Sequence, residues 1–336
     1  MALKKQARRG LFDAAPRKLT REGIIVEQHI REGRFQRSLA LIAGLSSVLS
    51  GWEVATEHYR GSYNQRLMYT PLILSPALLI AGMWGATSRK AARTVLPIVS
   101  AVTMIDGLIG FIWHIRGVAR KPGGWRIPTF TVVMGPPVLA PLLFMISGYL
   151  GVMASLLRRE DDPKHILLPG IPRPPRVWRH LLPRKISKEG IRLEHEIREG
   201  RFQRHLAGVM ALSAFCSGFE ALYSHYKNNF TYKVQWTPIL LTPFLMAAGV
   251  GSIFSRKLSR TLLPVASILA LLNGSVGMLY HVRGIWRRPG GVKMMVKDPR
   301  SGILYQLTYG PPPFAPLLFA ASGFLGLLAS LMRRER

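Results

Sequence analysis

Four histidines in this chain obey one spacing rule. His58 lies 21 residues after Arg37, His114 lies 21 after Arg93, His225 lies 21 after Arg204, and His281 lies 21 after Arg260. Mostly apolar sequence fills each interval. A helix rises about 1.5 Å per residue, so each imidazole should stand about 32 Å from its arginine, close to the thickness of a hydrocarbon core. All four rings are therefore expected at one depth, near one membrane interface.

Two imidazoles from neighbouring helices at one depth are what a b-type haem requires, one nitrogen on each face of the macrocycle. Helical bundles host such groups between facing side chains. The spans that carry His58 and His114 run parallel, as do those that carry His225 and His281, so each pair is expected to face across its bundle. Gly107 and Gly110 lie on the face of His114, and Gly274 and Gly277 lie on the face of His281. Gly51 and Gly218 lie seven residues before His58 and His225. Small residues there would leave room beside a flat macrocycle. Arg116 and Arg283, two residues past their histidines, fall at headgroup level, where they could pair with propionates. In ligand geometry alone, and over the histidine spans only, this resembles di-haem membrane cytochromes. The plainer reading is that span-end histidines anchor at the interface and glycines permit close helix packing.

Glu53 and Glu220 are the carboxylates that fall inside spans in both halves. An ionisable group in lipid is costly, so these two are candidates for proton or ion handling, or for hydrogen-bonding backbone near the interface. Glu53 lies five residues before His58, about 140° round the helix, so the two do not share a face for a zinc or copper ion. Asp106 is matched by Asn273, which suits a polar cap between helices better than a needed charge.

The elements that must position these groups are long apolar runs. Ser38 to about Tyr59, Tyr69 to Thr87, Arg93 to Gly117 and about Val138 to Leu157 are four expected spans, and four more follow. The octapeptide IREGRFQR occurs at 30–37 and again at 197–204. The same offset of 167 pairs Glu53 with Glu220 and each early histidine with a late one. Self-similarity on this scale implies an internal duplication. The expectation is an all-α integral membrane protein with eight transmembrane helices, as two tandem four-helix repeats related by a pseudo-two-fold axis along the membrane normal. Its parts are a basic cytoplasmic arm (1–20), a first repeat (21–158), a Pro-rich linker (159–187) and a second repeat (188–336). Each repeat opens on a short helix lying on the membrane surface, the first at Arg21 to Arg37. The segments 128–133 and 305–310 alternate like short strands. Pro76, Pro97 and Pro141, with Pro243, Pro264 and Pro316, should kink spans or cap their starts.

Charge sets the orientation. The 336 residues carry a formal net charge of +29, and 46 of them are Lys or Arg. These cluster between the apolar runs and not on amphipathic elements, so they point to anionic lipid headgroups and topology, and away from nucleic acid. With the N-terminus inside, cytoplasmic segments hold 32 of the 46 basic residues and outer loops hold 14. Both termini are therefore expected in the cytoplasm, in a bacterial inner membrane. The single cysteine, Cys216, excludes an internal disulfide and a Cys-ligated cluster. No nucleotide-binding or hydrolase motif occurs. The functional expectation is an electron-transfer subunit with two b-type haems, one per half, exchanging electrons between a quinone and a redox partner. The alternatives are a transporter or channel framed by the two halves, and a non-catalytic anchor or scaffold.

Overall fold

The computed structural model describes residues 17–161, 184–288 and 296–334, and every regular element in them is helical. α1 (Arg17–Arg31) leads into α2 (Gln36–Arg60), α3 (Thr70–Thr87), a short α4 (Arg89–Arg93) and α5 (Val95–Ala119). A brief α6 (Pro128–Val133) precedes α7 (Ala140–Leu156). The order then recurs as α8 (Arg184–Arg198), α9 (Gln203–Lys227), α10 (Thr237–Phe254), α11 (Arg256–Arg260), α12 (Leu262–Arg287), α13 (Pro299–Tyr309) and α14 (Ala315–Leu331). The expected arm and Pro-rich linker lie mostly outside the described residues.

Six helices are long and apolar enough to cross a membrane: α2, α3 with the preceding turn from Arg66, α5, α9, α10 with the turn from Lys233, and α12. They run 22 to 26 residues. Their outward faces leave large apolar side chains uncovered, among them Ile73, Ile80, Ile98, Leu240, Phe254 and Leu279. A face of that kind is at home in lipid. α7 and α14 have 17 residues each, about 26 Å of helix, and are much more buried. Pro141 and Pro316 fall in their first turns, where the missing N–H costs nothing.

α2 packs on α3 and α7, and α5 packs on the same two, so α2 and α5 face each other across a diagonal. α9, α10, α12 and α14 repeat this arrangement. The two groups meet where α7 touches α9 and α14 touches α2. One apolar core runs through both, from Leu39 and Leu78 to Leu206 and Leu245. Small residues let the helices close up. Ser47 and Ser75 each donate their hydroxyl to the other's carbonyl, at 3.0 and 2.8 Å, and the hydroxyls of Ser213 and Ser322 meet at 2.8 Å.

At the end of the bundle that carries α1, here the N-side end, Gly33 and Gly200 adopt left-handed φ of 66° and 71°. Their backbones abut so closely that a Cβ on either would overlap the other. Phe35 and Phe202 stack beside them at 5.9 Å. Arg159, itself buried, donates to the last carbonyls of α3, Gly85 O at 3.1 Å and Ala86 O at 3.3 Å. Arg334 does the same for Ile253 O at 2.9 Å. Cations at helix C-termini answer the partial negative charge there.

Two expectations fail here. Residues 128–133 form α6, and 305–309 belong to α13; no strand occurs among the described residues. The β-branched alternation has no neighbouring strand to pair with. Pro128 and Pro299 instead start helices, and Thr131 Oγ1 donates to Gly124 O at 2.8 Å, which holds α6 to the turn before it.

Candidate functional site

The last turns of α2 and α5 bring His58 and His114 together, with ring centroids 6.4 Å apart. The last turns of α9 and α12 do the same for His225 and His281, again at 6.4 Å. All four rings are half-buried.

Each ring is fixed through one nitrogen. His58 Nδ1 lies 2.8 Å from Met68 O, and His225 Nδ1 lies 3.0 Å from Gln235 O. Nδ1 of His114 and of His281 lies 2.6 Å from the carbonyl of Pro137 and of Pro312. A carbonyl only accepts, so each Nδ1 carries the proton and donates. Nε2 is then the bare nitrogen, and among the described residues no hydrogen bond reaches it in any of the four. This tautomer is the one a metal-ligating histidine holds when a carbonyl orients it.

The loops that present these carbonyls are shaped for it. After α2 the chain reverses through Ser62 and Tyr63, with φ of 60° and 45°; after α9 it reverses through Asn229 and Phe230, at 53° and 46°. Left-handed backbone is costly for these residues. Stacking offsets that cost: Tyr63 lies on Tyr69 with centroids 4.7 Å apart, and Phe230 lies on Trp236 at 4.1 Å. The same rings stand edge-on to His58 and His225, at 6.1 and 6.3 Å. Prolines 136 and 311 press on Gly117 and Gly284, where an added Cβ would come within 2.9 Å of the ring. That contact brings the next carbonyl over the histidine. Gly135-Pro136-Pro137 and Gly310-Pro311-Pro312 read as mere loop punctuation in sequence. Their recurrence after each histidine, with the carbonyl 23 residues on in the first half and 31 in the second, was the signal to use.

The spacing of the rings decides what they can share. Two imidazoles joined by a direct hydrogen bond of about 2.9 Å, with about 1.2 Å of ring on each side, would have centroids about 5.3 Å apart. Two imidazoles bound to one metal at about 2 Å each would have them about 6.4 Å apart. The observed 6.4 Å exceeds the first distance and equals the second in length, with the ring planes meeting edge to face at 63° and 68°. Among the described residues no group of three or more His, Cys, Asp or Glu side chains is placed to hold a metal ion. A closed zinc site takes four protein ligands, which these pairs do not supply.

No protein-family model, curated protein or solved structure matches this chain. The reading of the site therefore rests on its own geometry.

The other candidates fall elsewhere. Gly107 and Gly110 face α7, and Gly274 and Gly277 face α14. A Cβ on Gly107 would lie 2.5 Å from Met145 N, and one on Gly277 would lie 3.0 Å from Pro316 Cβ. Gly51 faces Ser75, and Gly218 faces Thr242. The room these glycines leave is filled by protein, which corrects the expectation that it receives a macrocycle; they let neighbouring helices approach. Arg116 is exposed and lies 5.2 Å over the ring of Trp113, and Arg283 is also exposed. Asp106 Oδ1 accepts from Thr70 Oγ1 at 2.6 Å, and Asn273 Nδ2 donates to Thr237 Oγ1 at 2.6 Å, so both polar residues tie their helix to the start of its neighbour.

Glu53 and Glu220 each reach across to the other group of helices. Glu220 Oε1 accepts from Leu139 N at 3.1 Å and lies near Ala140 N, at the start of α7. Glu53 lies near the backbone N–H groups of Phe314 and Ala315, at the start of α14, and its buried Oε1 has no hydrogen-bond partner among the described residues. A carboxylate there meets unpaired amides and the positive end of the helix. Arg60 donates to Thr308 O, and Tyr223 Oη donates to Gly135 O at 3.3 Å, so the loops before α14 and α7 are also held crosswise.

Proposed function

We propose that this chain is a membrane electron-transfer subunit that holds a b-type haem between His58 and His114 and another between His225 and His281. The observation that carries the reading is the 6.4 Å separation of both ring pairs, with Nδ1 tied to a carbonyl and Nε2 left to ligate. A bound haem would supply a one-electron couple; His58 with His114, and His225 with His281, would hold it and fix its position in a low-dielectric setting that would tune the couple. Carbonyls on Nδ1 make the imidazoles better donors. Glu220 serves assembly in this reading, since it holds the start of α7 in the opposite group.

The finer architecture belongs to the same proposal. The octapeptide, the recurring element order and the recurring ring contacts support an internal duplication. α7 and α14 would cross with the six longer helices, giving eight spans, their loops filling the length that 17 residues do not reach. Both haems would lie at the same end, outside, with the basic termini in the cytoplasm. Electrons would then pass along the outer face, between a quinone and a redox partner.

The test is the colour of the protein purified from haem-replete cells. A Soret band that shifts on reduction with dithionite, and is lost when His114 and His281 are both replaced by alanine, is expected. A colourless wild-type protein overturns the reading.

A further inference from the structure

IREGRFQR ends in Arg37 in one copy and Arg204 in the other, and each arginine is the second residue of its helix. Their surroundings differ. Arg37 is held: its Nη2 meets Asp161 Oδ2 at 3.0 Å, and its backbone N–H donates to Glu160 Oε1 at 3.2 Å. Among the described residues Arg204 has no such acid. Its Nε is buried and meets no hydrogen-bond partner.

Beside Arg204 a groove of about 630 Å³ opens on the surface. Its walls are apolar, from Leu193 of α8, Gly208, Val209 and Leu212 of α9, and Ile253 of α10. Its N-side rim is basic. Arg192 is exposed and bonds to Glu196 Oε1 at 3.0 Å. His205 Nε2 stands 3.5 Å from Glu196 Oε2. Glu196 thus pairs with Arg192 and His205 and leaves Arg204, so the rim keeps a positive excess. The groove runs from α8 along the first turns of α9, where the sequence turns apolar. Guanidinium above and hydrocarbon below is the polarity of a phospholipid.

We propose that this groove binds one anionic phospholipid, with its phosphate on Arg204 and Arg192 and an acyl chain along Gly208, Leu212 and Ile253. A phosphate would satisfy the unpartnered Arg204 Nε by a charge-assisted hydrogen bond. Gly208 keeps the floor low: a Cβ there would meet only Ile253 Cδ1, at 3.5 Å. The site lies at the opposite end from the histidines and is independent of what they bind. The corner at Arg37 has no such vacancy, because Asp161 and Glu160 already occupy it.

The full chain, reconstituted in phosphatidylcholine bilayers doped with phosphatidylglycerol, is extracted gently and its retained lipid counted by native mass spectrometry. Wild type is expected to keep one phosphatidylglycerol. Arg204→Gln should lower that retention about tenfold, the effect of losing a charge-assisted bond, while Arg37→Gln leaves it unchanged. Gly208→Leu fills the groove without touching the arginines and favours the helix; it should expel the lipid from a protein that elutes normally. Saturating inorganic phosphate should not displace the bound lipid. Undiminished retention by both Arg204→Gln and Gly208→Leu, equal retention of phosphatidylcholine, or full displacement by phosphate would each overturn the proposal.

Discussion

The two ends of this bundle treat their recurring residues differently. At the histidine end the two histidine pairs agree: both ring pairs stand 6.4 Å apart, and both Pro carbonyls meet Nδ1 at 2.6 Å. The turn residues differ, Ser62-Tyr63 against Asn229-Phe230, yet the left-handed backbone and the stacked ring are kept. At the N-side end, Arg37 and Arg204 start from the same octapeptide and finish in unlike settings, one paired and one bare. A ring held by a carbonyl on one side and a neighbouring ring on the other tolerates little change in geometry. A helix start at a headgroup layer needs only some anion, from the chain or from the membrane.

Substitutions can test how deep the agreement at the histidine end runs, and how local the divergence at the other end is. The largest effect is expected where agreement depends on backbone contact. Gly107→Leu would drive a Cβ to 2.5 Å from Met145 N and 2.7 Å from Pro141 O. α7 would have to move, at a cost of about 3 kcal/mol. Gly274→Leu should cost about the same against α14, and thermal unfolding in detergent would compare the two. A large loss in only one would break the parallel.

Arg159 comes next. Replacing it with Met removes its bonds to Gly85 O, Ala86 O and Asp161 from a buried site. A loss of about 2 kcal/mol is expected by the same unfolding measurement. Arg204→Gln, by contrast, should leave stability in lipid-free detergent nearly unchanged, because that guanidinium has no acid to lose.

A smaller effect, about 1 kcal/mol, is expected for Glu220→Ala, which removes the carboxylate at the start of α7. Glu220→Gln keeps an acceptor for Leu139 N and should recover part of it. If Gln were as damaging as Ala in the unfolding midpoint, the negative charge and not the hydrogen bond would be what matters.

The smallest effect is a pH dependence confined to the paired corner. Partial desolvation pushes the Asp161 carboxyl up, but hydrogen bonds and charge from Arg159 and Arg89 outweigh it and bring its pKa down to about 2. A carboxyl held below its unfolded value stabilises the fold above that value and loses the contribution as it is protonated. The corner should therefore be fully effective above about pH 4 and fail progressively between about 4 and 2. Subtracting the unfolding profile of Asp161→Asn from that of wild type should show this window; parallel profiles across it would contradict the pairing.

Much of this was legible in the chain. The interval of 21 residues placed His58 and His114, and their later counterparts, at one level, and apolar length located the six long helices. What was not legible depended on contacts between segments far apart. Glu220 sits in a span, and its partner is the Leu139 amide of the opposite group, which no local pattern reveals. Gly107 and Gly274 share the face of a histidine, yet a helix face is wide, and α7 or α14 covers that part of it. The strand-like alternation of PTFTVV was overruled by a proline at its start and by the lack of any strand to join. Arg204 looked identical to Arg37 because the acid that separates them lies more than a hundred residues away.

The central claim is that each histidine pair holds one iron. Haem per chain, counted by the pyridine haemochrome assay on purified protein, tests it most directly. The account predicts two for wild type, one for either His114→Ala or His281→Ala, and none for the double variant. A wild-type protein without haem, or a double variant that keeps its full complement, would contradict it.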